Sequence, residues 1–407
     1  MRRRKKKLKL GNIFIAVSLV ILFSLVLIYF LCGPSFKNLQ QEVKKDNKLQ
    51  ENKKEEEQEY QASMVMVGDN LIHSSIYKDA SDGKGGYDFR KMYELVKPSI
   101  QKYDIAYYNQ ETVLGGKELG VSDYPTFNSP QEVGDAMIDA GFNLVSLASN
   151  HTMDSGEKTI LASREYWDSK SDVLAVGSYS SVDDRDKVRV VTKNNIRYTM
   201  LNYTYGTNGI SVPSGKEYLV NVWPTNLEIN DVEKDTQYQE YKKQVKKDIE
   251  QVRDSVDVLM VAMHWGVEYT DEATEYEKDM ASYLASLGVN IIIGTHPHVI
   301  QPVTWINQTL VIYSLGNFLS AHEVVNMANR VGLMSMVDIY KEDDKIILKN
   351  LRNELLYTYY DSSYRDFLII PFSSMEEKYL SNYREVYSKY KGIVQALDND
   401  IIVKSID

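Results

Sequence analysis

Short, uninterrupted apolar runs alternate with amphipathic stretches through most of the chain from Ser63 onward. SMVMVGD (63–69), NLVSLAS (143–149), DVLMVAMHWG (257–266) and NIIIGTHPH (290–298) read as buried strands that end in polar or turn-forming residues. Between them, Pro130–Ala140 places Val133, Ala136, Met137 and Ala140 on one helical face, with Gly141 positioned as a C-cap. A long charged helix is predicted over roughly 231–254, and Tyr276, Met280, Tyr283, Leu284 and Leu287 form a helical stripe closed by Gly288. Continuous apolar strands alternating with helices predict a layered α/β domain. Past about residue 320, RVGLMSMVDIY, DKIILKNL and FLIIPF read as antiparallel strands finishing the same domain. A terminal helix near 375–391 carries Tyr379, Tyr383, Tyr387 and Tyr390 as a packing stripe.

The N-terminal pattern is different. Asn12–Leu31 is twenty uncharged, mostly apolar residues, and a helix of that length spans about 30 Å of hydrocarbon. Seven basic residues precede it, which predicts a cytoplasmic N-terminus and an external main body. A cleaved signal peptide is the rival reading, but its apolar region would be shorter and would end in an A-x-A-like site that this chain lacks. The expected organisation is a basic tail (1–11), a transmembrane signal anchor (12–32), a charged stalk (33–62) and an extracellular domain (63–407). The stalk is dense in Lys, Glu, Asn and Gln and has too few apolar groups to bury a face. Cys32 is the only cysteine, so the body is built without disulfides and relies on its core.

Charge narrows the partners. Removing the seven N-terminal basic residues from 47 leaves 40 against 57 acidic groups, a net of −17 for the chain from Gly33 on. So acidic a body repels phosphate backbones, which excludes nucleic acid as the expected partner. Tyrosine is abundant, with 30 residues and a dense run at 357–364. A sugar-binding strip and ordinary half-buried packing positions are both compatible with that usage.

The residues with chemical potential fall at predicted strand ends: Asp69 and His73 in GDNLIH, Asn109 and Glu111 in YNQET, Asn150, His151 and Asp154 in SNHTMD, His264 in MHWGVEY, and His296 with His298 in GTHPHV. Each has an ordinary alternative. Asp69 fits a turn or a helix cap, His73 a surface imidazole, Glu111 a solvated carboxylate, SNHTMD an N-cap, and His264 a satisfied core histidine. In an open α/β sheet, however, ligands bind at the carboxyl ends of strands. This mix of carboxylate, imidazole and amide oxygen suits Mn, Fe or Zn.

GDNLIH, NQETVLGG, YPTFNSP, SLASNHTMDSG, HWGVEY, GTHPHVIQPV and YSLGNF, in this order from about Met64 to Phe318, resemble the CapA-type capsule-synthesis family of the calcineurin-like metallophosphatase superfamily. The resemblance implies a four-layer α-β-β-α sandwich with two divalent metal ions between its sheets. It implies Asp69, His73 and His298 on one metal, Glu111 bridging, and Asn150, His264 and His296 on the other. His151 would be the general acid, oriented by Asp154, with Asn109 and Asn128 at the substrate. Two features depart from the superfamily pattern: Asp69-x-x-x-His73 replaces D-x-H, and NQE replaces the bridging GDxxD. The implied role is assembly or export of an anionic surface polymer such as poly-γ-glutamate, or handling of its precursor, beside membrane-bound synthase subunits. The alternatives are an extracellular phosphoesterase or amidase that trims envelope polymers, and a non-catalytic scaffold for the synthase.

Overall fold

In this computed structural model the described residues are 21–24, 26–27, 59–223, 235–322, 326–343 and 345–406. The chain divides into two units, Met1–Gln58 and Glu59–Asp407. Most of the predicted anchor and most of the predicted stalk lie outside the described residues. Residues 21–24 and 26–27 are helical, and no helix among the described residues is long and apolar enough to cross a membrane. The second unit starts at Glu59 rather than Ser63. Its first residues are strand because they pair antiparallel with a later strand, Tyr60 opposite Lys341 and Ala62 opposite Ile339.

The strands of this unit are β1 (Glu59–Asn70), β2 (Ile105–Gln110), β3 (Leu144–Ser146), β4 (Leu174–Val176), β5 (Val191–Lys193), β6 (Ile196–Thr204), β7 (Val258–His264), β8 (Ile291–Thr295), β9 (Val303–Ile306), β10 (Thr309–Ile312), β11 (Asn317–Leu319), β12 (Val331–Glu342), β13 (Lys345–Tyr359) and β14 (Leu368–Pro371). They form two sheets. One runs β14-β13-β12-β1-β2-β3-β4 with β11 beside β1, and the other runs β5-β6-β7-β8-β10-β9. The neighbours β1 to β4 are parallel, as are β6, β7, β8 and β10. The three C-terminal strands β12, β13 and β14 are antiparallel, as expected.

The longer helices are α1 (Glu132–Ala140), α2 (Glu157–Asp168), α3 (Thr236–Arg253), α4 (Glu275–Ser286) and α5 (Tyr383–Val394). Strand alternation explains the layering. Met64 and Met66 of β1 join Met200, Met260 and Ile291 of the other sheet in a core between the sheets. Val65 and Val67 point the opposite way, under Val133 and Met137 of α1 and Trp167 of α2. Leu259 and Val261 of β7 similarly pack under Val245 and Ile249 of α3 and Met280 and Leu284 of α4. The order is therefore helices, sheet, sheet, helices. Gly141 caps α1 at φ 112°, and Thr274 with Glu277 forms a capping box at the start of α4. Tyr383, Tyr387 and Tyr390 of α5 are buried, as are Tyr357 and Tyr360, so much of the tyrosine usage is packing.

Candidate metal centre

Strands of both sheets end at one rim, and their ends carry the predicted residues. β1 delivers Asp69, the turn after β2 delivers Glu111, and the turn after β3 delivers Asn150, His151 and Asp154. β7 ends on His264, and the loop after β8 carries His296 and His298. Asp69 sits deep because Gly68 lets two backbones touch. A Cβ at Gly68 would lie 1.7 Å from the Gly316 carbonyl oxygen, which accepts from the Asp69 N–H at 2.9 Å.

Glu111, His296 and His298 are buried, and one ligand atom from each lies within 4.8 Å of the others. His264 Nε2 and His298 Nε2 are each 3.7 Å from Glu111 Oε1. His264 Nε2 also lies 2.9 Å from Asn150 Oδ1. Asp69 Oδ2 accepts from the His296 N–H at 3.2 Å and lies 3.5 Å from His298 Nδ1. Both Glu111 oxygens and both His296 ring nitrogens lack a hydrogen-bond partner. A buried carboxylate without donors carries a desolvation penalty of several kcal/mol. Four orphaned carboxylate and imidazole atoms beside further imidazoles and an amide oxygen fit a bound divalent cation.

The surroundings hold these groups in place. Asn109 donates to Asp69 Oδ1 at 2.8 Å and accepts from Ser146 Oγ at 2.6 Å. Thr295 Oγ1 lies 3.0 Å from His264 Nδ1, which leaves Nε2 for the centre. Asn317 fixes His298 in the same way. Its Nδ2 donates to the Asn329 carbonyl at 3.0 Å, which orients the amide, so its Oδ1, 3.0 Å from His298 Nδ1, requires a proton on that nitrogen. The loop itself is strained, with His296 at φ 98° and His298 at φ 60°; positive φ of this kind is held by surrounding structure and clusters at functional sites.

The electrostatics of His264 and His296 agree with metal ligation. Burial drives Glu111 well above the usual carboxylate range, with His298 opposing and Asp69 adding to the rise. Burial, then neighbouring imidazoles, hold His264 and His296 well below 6.5, in the neutral form that binds metals. Burial also opposes charge on His298, but Glu111 and Asp69 outweigh it and raise this group to about 10.

His151 Nδ1 lies 2.6 Å from Asp154 Oδ2, which also accepts from the Phe127 N–H at 2.8 Å. The pair lines a cavity of about 930 Å³ that also reaches His73, His298 and Asn150. His73 does not join the cluster. Its Nδ1 lies 3.2 Å from both the Leu71 carbonyl and the Ala321 N–H, and its ring lines the cavity beside His298. The expectation that Asn109 and Asn128 contact substrate does not fit their surroundings. Asn109 is fully buried with both ends of its amide engaged, and Asn128 donates to the Gly116 and Gly120 carbonyls inside its own loop. Sequence reasoning gave no role to Asn317 or Thr295, although both lie in or beside recognised segments. It passed over His322, the sixth histidine, whose ring centroid is 5.0 Å from those of His73 and His298.

The fold and site together define a two-sheet α/β protein with a buried carboxylate–histidine centre under an open cavity. Residues 63–322 match the family model of the bacterial capsule synthesis protein PGA_cap, and the chain belongs to that family. It is 26% identical over 264 residues to the capsule biosynthesis protein CapA of Bacillus anthracis, covering 63% of this chain and 59% of the relative. It is 26% identical over 267 residues to the PGA biosynthesis protein CapA of Bacillus subtilis, covering 63% of each. The chain thus spans about three fifths of the length of these curated relatives. Among solved structures, a novel phosphatase from Mycoplasma pneumoniae aligns with a TM-score of 0.44 at 15% identity, over 75% of this chain and 97% of that one.

Proposed function

We propose that this chain is a membrane-anchored capsule-synthesis factor that acts outside the cell on an anionic surface polymer, such as poly-γ-glutamate, or on its precursor. Membership of the capsule-synthesis family supports the biological setting. The buried Glu111–His296–His298 cluster, with its orphaned oxygens and nitrogens, carries the chemical part. Asp69, Glu111 and His298 would hold one divalent ion, and Glu111, Asn150, His264 and His296 a second, of Mn, Fe or Zn type. Such ions would supply Lewis acidity toward an anionic oxygen of the substrate. The chain's own residues do the rest. Thr295 anchors the His264 ring through Nδ1, Asn317 does the same for His298, and His151, with Nδ1 bound to Asp154, is placed on the cavity wall to carry a proton on Nε2.

The His151–Asp154 pair favours, as a second reading, an extracellular hydrolase that trims phosphoester or amide bonds of envelope polymers. A non-catalytic scaffold for membrane synthase subunits has no use for such a pair. Elemental analysis of the purified full-length chain beside Glu111→Gln, with complementation of a capsule-deficient strain, tests the proposal. Wild type should carry about two equivalents of a transition metal, and the variant should lose both metal and surface polymer. Equal metal content in the two proteins would overturn the metal centre. Full complementation by the metal-free variant would establish the scaffold. Protease accessibility of residues 59–407 on intact cells tests the topology.

A further inference from the structure

The cavity above the centre has the wrong lining for a polyanion. Among its described lining residues there is neither lysine nor arginine, and the one carboxylate facing it besides Asp154 is Glu268. Glu268 is exposed and has no hydrogen-bond or ion-pair partner among the described residues. With a body of net charge −17 around it, a chain of repeating carboxylates would find no lysine or arginine to pair with along this described lining.

What the cavity does offer is aromatic surface. Tyr124 is 69% and Tyr269 52% exposed, and both line it. Tyr269 is the more telling. Its backbone sits at φ 63°, a conformation that costs a bulky residue about 1–3 kcal/mol. Its N–H is tied to the Pro297 carbonyl at 2.8 Å, between the two histidines of the strained loop. Its ring centroid lies 6.0 Å from that of His298 and 5.9 Å from that of His322. A large ring held in a strained conformation, half open to solvent, beside a metal ligand is not explained by packing.

We infer that this cavity takes a saccharide, with the apolar face of a pyranose ring laid on Tyr269 and its hydroxyls donating to the Glu268 carboxylate. Aromatic faces bind the C–H face of sugars, a free carboxylate accepts from vicinal hydroxyls, and neither requires a basic side chain. A cavity of about 930 Å³ accommodates more than one sugar unit. The inference rests on the proposed function only in sending the ligand's single anionic group to the metal ligands. It makes the substrate of the site a sugar-bearing intermediate rather than the bare poly-γ-glutamate chain.

Isothermal titration of the full-length chain, in a detergent without a sugar headgroup, tests this with chitotetraose, maltotetraose and a γ-linked glutamate oligomer. Tyr269→Gly removes the ring while suiting the positive φ, so the fold is retained, and Tyr269→Phe keeps the ring. At least one tetrasaccharide should bind wild type and Tyr269→Phe alike and bind Tyr269→Gly at least tenfold more weakly, with metal content equal in all three proteins. No binding of either tetrasaccharide, or equal affinity in Tyr269→Gly, would overturn the inference. Tighter binding of the glutamate oligomer than of either sugar would also overturn it. Saccharide binding by a protein that carries no metal would remove the metal centre and leave this inference standing. Metal without saccharide binding would do the reverse.

Discussion

His73 and His322 show how a single side chain is committed by its surroundings. Burial lowers His73 to about 4, and burial with the nearby His298 lowers His322 to about 2. Both rings are therefore neutral in the fold at neutral pH. An unfolded chain takes up these protons near pH 6.5. The folded state then binds fewer protons than the unfolded one, so the stability gained from neutral burial is whole above about pH 6.5 and is lost as pH falls toward 4 and below. At about pH 4.5 the loss amounts to up to about 2–3 kcal/mol for each ring. A His73→Gln, His322→Gln double variant should lose markedly less melting temperature than wild type between about pH 7 and about pH 4.5. Equal losses in the two proteins, measured by circular dichroism, would show that the rings are solvated.

The elements matter as devices that bring distant loops into register, and Asn202 on β6 is the clearest of them. Its Oδ1 accepts from Leu147 N–H at 2.9 Å and Ala148 N–H at 2.6 Å, tying a strand of the second sheet to the loop that carries Asn150 and His151. Leu147 N–H has a second acceptor in the Val176 carbonyl, whereas Ala148 N–H is left with none if Asn202 is truncated. A buried, unsatisfied donor costs about 1–3 kcal/mol. Asn202→Ala should destabilise by about 2 kcal/mol in urea unfolding and lower metal occupancy. Unchanged occupancy in Asn202→Ala would mean that the loop is held elsewhere. Such cross-sheet ties mark the limit of what the chain reveals by itself. The strand ends were legible because apolar runs stop abruptly at Asp69, His264 and Thr295, and the carboxylate and histidines follow there. Asn202 was not, since an amide inside the half-polar strand IRYTMLNYT has no local signature of a partner 54 residues away. His73 is the opposite case: the residue type fits a ligand, but the Asp69-x-x-x-His73 spacing already departs from the superfamily pattern, and its Nδ1 is engaged by the Leu71 carbonyl and the Ala321 N–H.

On the scale of the whole second unit, the centre exists only while the two sheets are docked. Asp69, Glu111 and Asn150 follow strands of one sheet, and His264, His296 and His298 follow strands of the other. No subset from one sheet contains both the carboxylates and the imidazoles. Without a cation, Glu111 and Asp69 face each other with His298 as the charge between them. Binding energy at such a site is therefore folding energy for the domain. Chelation should lower the melting temperature of the full-length chain. Adding Mn or Zn should restore it by about 1.4 kcal/mol of stability per bound ion for each tenfold rise in free metal above the dissociation constant. Glu111→Gln should melt at one temperature at every metal concentration, because a neutral amide replaces the carboxylate that would serve both ions. That metal-free variant should also be at least as stable as chelated wild type, since an unpaired carboxylate is more costly to bury than an amide. A wild-type melting temperature indifferent to chelator and metal alike would place any bound ion away from the interface of the two sheets.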